Sequence, residues 1–490
     1  MTEKKIHVRL PDDLHRQLRV HCAYKGTTVQ DYVEKVLGEQ LSLYGPEDVV
    51  TESPKPAASR PAARQGTEHP DDLPVRAELE ARYAGRLSDR GELRWLASNV
   101  ANREIPFQRW FRYKEAFSQE FPQLALSKSA LKKGTTVLDP FCGCGTVLLA
   151  ARDMGYQARG FDMLPLAVFV SRVKLRKPEE YDIARLRKKV ESICSMEIGR
   201  THSEFPDIVI LPKAFGPETK NDLLFLRDCI LTEDDVAIRE FLMLGLLSVM
   251  EEVSHTCKDG LGIKLQKKKA VPRVQGPLAR QLRMMLADLS EAMDFSRNGG
   301  SATASPGDAR KLPLKDASVS CVITSPPYLN RYDYARIYSL ELALDFVSSF
   351  VELRDLRHSL LRGYIEAKPA ASDYVTWGVL PAVLERLSVQ RLNNPNIPTM
   401  IKAYFEDMCV AIGEIARVCK PGAHVAMLIG NSRFGGEVLP VDLMLSEIAE
   451  RHGFEATAVW VLHYKGNASQ QMGRYGQQRV RESIVFWRRK

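Results

Sequence analysis

The stretch that decides the fold is Thr136-Val137-Leu138-Asp139-Pro140-Phe141-Cys142-Gly143-Cys144-Gly145-Thr146, followed by Val147-Leu148-Leu149-Ala150-Ala151-Arg152. A short apolar run ending in a carboxylate reads as a buried strand, the glycines as a tight turn, and the run after Thr146 as a helix. Strand, glycine turn and helix bring a ligand against bare backbone at the carboxyl end of a parallel strand. The spacing is neither that of a dinucleotide loop nor that of a P-loop. Seventeen residues after Gly145, a second strand, Ala158-Arg159-Gly160-Phe161, ends in Asp162. A carboxylate at the tip of the second strand is where such folds hold a ribose diol.

Further along, Gly307-Asp308 ends another short segment, and its carboxylate suits an adenine amino group. Val319, Cys321, Val322 and Ile323 form an apolar strand that stops at Ser325-Pro326-Pro327-Tyr328. Two prolines cannot continue a central strand, so the chain turns there, again at the active edge of an α/β sheet. Helices at 402–418 and 440–451 and strands at 424–431, 456–463 and 482–487 complete seven strands, the last two as a hairpin with one strand antiparallel.

Asp-Pro-Phe-Cys-Gly-Cys-Gly-Thr and Thr-Ser-Pro-Pro-Tyr together resemble the S-adenosylmethionine-dependent DNA amino-methyltransferases of the N4-cytosine/N6-adenine type. The resemblance implies an α/β fold with a seven-stranded, Rossmann-like class I methyltransferase sheet, and S-adenosyl-L-methionine as cofactor. It implies a cofactor loop of Asp139, Pro140, Phe141, Gly143, Gly145 and Thr146, with Asp139 toward the methionine amino end and Asp162 on the ribose. Cys144 stands where serine is common in that family. The segment Arg112–Ser118 is similar to the family's stretch before the loop, and would put Phe117 at the methionine end; an ordinary core aromatic is the competing reading. Asp308 would take the adenine.

The chemistry at Ser325, Pro326, Pro327 and Tyr328 follows from the residue types. An exocyclic amine is a poor nucleophile because its lone pair is delocalised into the ring. The Ser325 hydroxyl and Pro326 carbonyl can hold its two N–H groups out of the ring plane, and the prolines pre-organise those acceptors. Tyr328 offers a face for a flipped base. In the family, serine at the first position accompanies cytosine N4 methylation more often than adenine N6 methylation. The expected function is site-specific methylation of a cytosine N4 in DNA. Adenine N6 methylation, an RNA amino-methyltransferase and, from a different class, a DNA-binding transcriptional regulator share these features.

At the N-terminus, Ile6, Val8 and Leu10 alternate with Lys5, His7 and Arg9, and two amphipathic helices follow. Residues 1–44 thus resemble a ribbon-helix-helix module, which forms a homodimer and can lay Lys5, His7 and Arg9 in DNA. Dimerisation alone and DNA reading both remain open. Residues 45–75 hold six prolines and no aromatic, and read as a flexible linker. The methyltransferase domain then spans 76–490. Asp308 lies 146 residues after Asp162, so helical insertions are expected at about 176–300 and 346–400, either of which could recognise DNA.

Lys plus Arg is 69 and Asp plus Glu 61 in 490 residues, a net charge of only +8. Residues 258–283 carry eight basic side chains against Asp259 alone, and 465–490 carry seven against Glu482. The first window reads as an exposed loop with Lys267, Lys268, Lys269 and Arg273 as candidate phosphate contacts; a solvated charge run is the alternative. Nine cysteines without paired CxxC spacing suggest reduced thiols and no metal. No apolar run reaches membrane length and no secretory signal is present, so a cytoplasmic enzyme is expected, with a separately encoded restriction endonuclease as a conceivable partner.

Overall fold

Eight strands form the central sheet: β1 (Leu87–Asp89), β2 (Thr136–Asp139), β3 (Gln157–Asp162), β4 (Ser301–Pro306), β5 (Val319–Thr324), β6 (Cys419–Gly430), β7 (Phe454–Lys465) and β8 (Val480–Arg489). Their order is β1-β7-β8-β6-β5-β2-β3-β4. The computed structural model describes residues 73–490 apart from 261, 267–268, 296–298, 372 and 466–478. The ribbon-helix-helix reading of 1–44, with Lys5, His7 and Arg9, lies outside the described residues, as do Lys267 and Lys268.

Every neighbouring pair is parallel except those made by β8, which runs antiparallel to both β7 and β6. This is the mostly parallel sheet of an α/β, Rossmann-like methyltransferase fold. The strand count differs from the seven read in the sequence. Leu87–Asp89 is only three residues long and pairs at the edge of the sheet, with Leu87 alone packed on the core, so it leaves no periodic signature. Residues 74 and 75, read as the end of a linker, belong instead to a helix. Pro74 opens a helix over Pro74–Tyr83, where its missing N–H costs nothing.

The strand ends are set by the sequence around them. β2 buries Val137, Leu138 and Asp139, and α1 (Thr146–Asp153) leaves the glycine turn with Val147–Ala151 all buried against the sheet. α2 (Pro165–Leu175) follows β3 and carries Leu166 and Val170 into a second core. That core is built mainly by the long insertion: α3 (Ile183–Ser195), α4 (Pro217–Leu231), α5 (Val236–Val249) and α6 (Gln275–Phe295). Leu186, Leu223, Phe241, Leu246, Leu278 and Leu282 are fully buried in it together with Trp110 and Tyr338. The insertion therefore shares one core with the loops that wall the site. The later insertion is less regular than expected: helices occupy only Phe350–Ser359 and Val379–Ser388 before α7 (Ile397–Val418) begins. No described helix is long and apolar enough to cross a membrane.

Candidate active site

Three strands end side by side and deliver the site. Asp139 closes β2, Asp162 closes β3, and Thr324 closes β5 just before Ser325. Asp139 is buried and accepts hydrogen bonds from Thr324 Oγ1 at 2.6 Å and Phe141 N–H at 3.1 Å. Burial pushes its carboxyl up to about 7, against the pull of those two donors. Asp162 accepts from Gly143 N–H and from Leu164 N–H, each at 2.9 Å, and burial raises its carboxyl as well. One carboxylate thus holds the glycine loop and the start of α2 together.

The loop itself is tightly specified. Gly145 has φ +80°, and a Cβ there would lie 2.9 Å from Ser171 Oγ, so neither conformation nor space admits a side chain. Ser171 in turn donates to the Gly143 carbonyl at 2.7 Å. Behind the loop, the fully buried Lys174 ammonium lies 3.3 Å from the Gln108 carbonyl and 3.4 Å from that of Cys144. Thr146 is buried at the first turn of α1, its hydroxyl 3.4 Å from Gln108 Oε1.

A cleft runs from this loop to the turn at Ser325-Pro326-Pro327-Tyr328. Of the residues singled out from sequence, Phe117, Pro140, Phe141, Gly143, Thr146, Asp162, Asp308, Ser325 and Pro327 line it. Asp139 and Gly145 support it from behind. Phe117 is buried, edge-on to Phe121 with ring centroids 5.3 Å apart, so its core role and its place on the wall coexist. Other wall residues were invisible to motif reading. Tyr113 stacks on Tyr338 at 4.9 Å and on Tyr334 at 6.1 Å, and Tyr332 meets Tyr334 edge-on at 4.8 Å. They come from segments 200 residues apart in sequence, so no local spacing marks them. Arg310 is a second omission. It grips Asp308 through both carboxylate oxygens at 2.9 to 3.1 Å and reaches Asp407 on α7 at 3.2 Å. Asp308 therefore presents a carboxylate already partnered by arginine, only two positions further along the chain.

At the Ser325-Pro326-Pro327-Tyr328 turn, Tyr404 Oη donates to the Pro327 carbonyl at 3.1 Å, anchoring the turn to α7. Pro326 is buried and Ser325 half-buried. The Tyr328 ring lies across Gly430 at the end of β6, where a Cβ would come within 2.9 Å of it. Beyond Tyr328 opens a recess of about 610 Å³, walled by Arg94, Arg112, Lys114, Glu115, His463 and Glu482 among others.

The basic window at 258–283 requires a correction. It is not an exposed loop. Thr256–Asp259 and Gly262–Leu265 form an antiparallel hairpin, and α6 begins at Gln275. Lys258 is buried against Glu341, and its ammonium sits 4.3 Å above the Tyr338 ring. Lys269 donates to the carbonyls of Glu251 at 2.6 Å and Thr256 at 3.0 Å. Arg280 pairs with Glu252 and Arg283 with Glu191. Arg273 stays exposed, 3.5 Å from Asp222 and 3.7 Å from Glu218. Every one of these acidic partners lies outside the window that was counted. In the later insertion, Arg357 and Arg362 are likewise spoken for, by Asp333 and Glu366 and by Glu406 and Asp407.

Comparison with characterised proteins decides the family. The chain is 31% identical over 450 residues to the type II methyltransferase M.BsoBI of Geobacillus stearothermophilus, covering 80% of this chain and 88% of that protein. The chain belongs to the type II DNA methyltransferases. M.AvaI of Nostoc sp. is also 31% identical over 450 residues, with 84% and 92% covered. M.MvaI of Kocuria varians is 23% identical over 363 residues, covering 68% and 78%. A solved SAM-dependent methyltransferase from Methanosarcina mazei is similar at 9% identity and a TM-score of 0.26, over 74% of this chain and 96% of that one. No family model matches the chain.

S-adenosyl-L-methionine is the cofactor of this type II DNA methyltransferase, and the cleft fits it. The loop excludes a side chain at Gly145, the carboxylates of Asp162 and Asp308 line the cleft where a diol and an amino group can be held, and Tyr113, Phe117, Phe141, Tyr332 and Tyr334 give it aromatic walls. When bound, the cofactor supplies an electrophilic methyl sulfonium. No group of three or more metal-binding side chains occurs among the described residues.

Proposed function

We propose that this enzyme methylates the N4 amino group of a cytosine flipped out of a DNA duplex. The observation that carries the reading is the serine at the head of Ser325-Pro326-Pro327-Tyr328, set between the cofactor cleft and the open recess. A hydroxyl is a compact acceptor, held close to the turn backbone beside the Pro326 carbonyl. Together they take the two amine protons and localise the nitrogen lone pair. Asp139 and Asp162 hold the methionine amino end and the ribose in this reading. Phe117 and Phe141 exclude water from the methyl group.

For the DNA, the recess beyond Tyr328 is the better entry than the hairpin at 256–265. Its rim carries Arg94, Arg112 and Lys114, which suit the phosphates flanking an extruded nucleotide, whereas the hairpin buries Lys258 and pairs Lys264 with Asp259, and Lys269 after it is held by backbone carbonyls. Hydrolysing DNA from cells expressing the chain and separating the nucleosides tests the base. N4-methylcytosine is expected. N6-methyladenine in its place would replace cytosine as the target, and unmodified DNA would sink the reading. Sequencing the same DNA yields the recognition site.

A further inference from the structure

The turn and the recess are joined by a feature that motif reading does not touch. Glu482 on β8 is buried, its side chain 2% exposed, at the floor of the recess. Two residues of β7 flank its Oε2: Lys465 Nζ at 2.6 Å and His463 Nε2 at 3.2 Å. Tyr328 lines the same recess as Glu482 and His463, its ring lying over Gly430, the residue that pairs with Glu482 between β6 and β8. Glu115, held at φ +59° in the loop over the cleft, and Arg94 complete the charged groups around this carboxylate and imidazole. Ser325 on the cleft and Tyr328, Glu482 and His463 on the recess thus lie in succession from the methyl-accepting position to the half-buried His463.

Methyl transfer to an amine leaves a proton to dispose of. The nitrogen lone pair forms the N–CH3 bond, the S–CH3 bond breaks with its electron pair going to sulfur, and the nitrogen, now carrying positive charge, must shed one N–H proton to become neutral. Phe117, Phe141 and Pro327 wall the cleft side of the site, so the way out for that proton leads past Tyr328 to the recess. We propose that Ser325, Tyr328 and Glu482 carry that proton out of the site, toward His463 and the recess. Ser325 Oγ accepts it from the amine while passing its own hydroxyl proton to Tyr328 Oη, and Tyr328 passes its proton to the Glu482 carboxylate. His463 and Lys465 hold that carboxylate in place, and His463 takes the proton on to solvent. Burial and the cations Lys465 and Arg94 lower the His463 imidazole below its ordinary range, against the pull of Glu482, so it gives the proton up readily. Tyr328 then has two separable jobs, its ring as a stacking face and its hydroxyl as a conduit.

This rests on the amino-methyltransferase reading above, and the test separates the two. Single-turnover methylation by the cofactor-loaded full chain is followed from pH 5.5 to 8.5 for the wild type, Tyr328→Phe and Glu482→Gln. Binding to a duplex carrying 2-aminopurine at the target position is followed in parallel by fluorescence. Tyr328→Phe should flip and bind the duplex as the wild type does, yet transfer methyl about 10²-fold more slowly. Glu482→Gln should be slow as well and lose the acid limb of the pH profile. Wild-type rates in Tyr328→Phe overturn the relay, as does a slowed variant that keeps the wild-type pH profile. Should Glu482→Gln fail to fold, Tyr328→Phe decides alone, since its ring still fills the space over Gly430. Absence of amino methylation in the wild type itself overturns the preceding reading and the relay with it.

Discussion

The glycine loop at 139–146 and the lysine-rich stretch at 258–283 are both conspicuous in the sequence, yet only the first means what it says locally. In the loop, the strand end fixes where Asp139 stands, the positive φ demands glycine at 145, and the partners of Asp162 lie within nineteen residues. In the basic stretch, Lys258 takes its meaning from Glu341, 83 residues away, and Arg283 from Glu191, 92 residues the other way. Apart from Lys264 with Asp259, a charge window counts one member of each such pair. Backbone-determined sites are therefore legible from a short stretch of sequence, whereas a charged surface is legible only once the partners are placed.

The contrast is broken most directly at Lys258. If it were a phosphate contact, Lys258→Met would lower the salt dependence of DNA binding and leave stability alone. Buried against Glu341, its removal should instead cost about 3–5 kcal/mol by stranding a carboxylate in the core. Replacing both members, as in Lys258→Met with Glu341→Leu, should recover most of that. Chemical denaturation reads the first quantity and a salt titration the second. A stable single variant with a reduced salt slope would restore the surface reading.

On the other side of the comparison, Ser325→Ala removes one preorganised acceptor from a turn whose backbone is anchored independently by Tyr404. Methyl transfer should fall about 10²–10³-fold while cofactor affinity and melting temperature stay near wild type. Undiminished turnover would remove Ser325 from the chemistry.

How far the sequence carried the reading follows the same division. Strands β2 and β5 were legible as buried apolar runs with abrupt polar ends, and β3 by its short run into Asp162 just after the glycine loop and helix. The edge strand at Leu87–Asp89 was not, since it is held by pairing to β7 rather than by its own pattern. The aromatic wall of Tyr113, Tyr332 and Tyr334, with Tyr338 stacked on Tyr113, was not, because stacking between distant segments has no spacing rule. Arg310 carried a faint signal. An arginine two residues after Asp308 is placed to chelate that carboxylate, and the structure uses it so. Glu482 looked like a lone acid in a basic tail, though it is the buried anion around which His463 and Lys465 gather.

A smaller effect sharpens the loop side. Asp139 is raised to about 7 by burial, so in the cofactor-free protein its contribution to stability is fully present below pH 4 and is lost as the pH rises through 7. A cofactor amino group, protonated below about 8, favours the ionised carboxylate. Cofactor affinity should therefore rise about tenfold from pH 6 to 7 and level off toward 8. Asp139→Asn should bind more weakly with that rise abolished. A flat wild-type profile by calorimetry would place the amino end elsewhere.

The smallest effect bears on the surface itself. Arg112, exposed on the recess rim, and Arg273, exposed beside the hairpin, are alike in chemistry and differ in place. Neither alanine variant should change stability by more than about 0.5 kcal/mol, because exposed ion pairs contribute little. Arg112→Ala should reduce the slope of log affinity against log salt by about 0.9, the loss of one phosphate contact, and Arg273→Ala should leave it unchanged. The opposite outcome would move the duplex from the recess to the insertion. It would also mean that Arg273, farther from its carboxylate partners than Arg280 and Arg283 are from theirs, had carried the signal that the charge count attributed to the whole stretch.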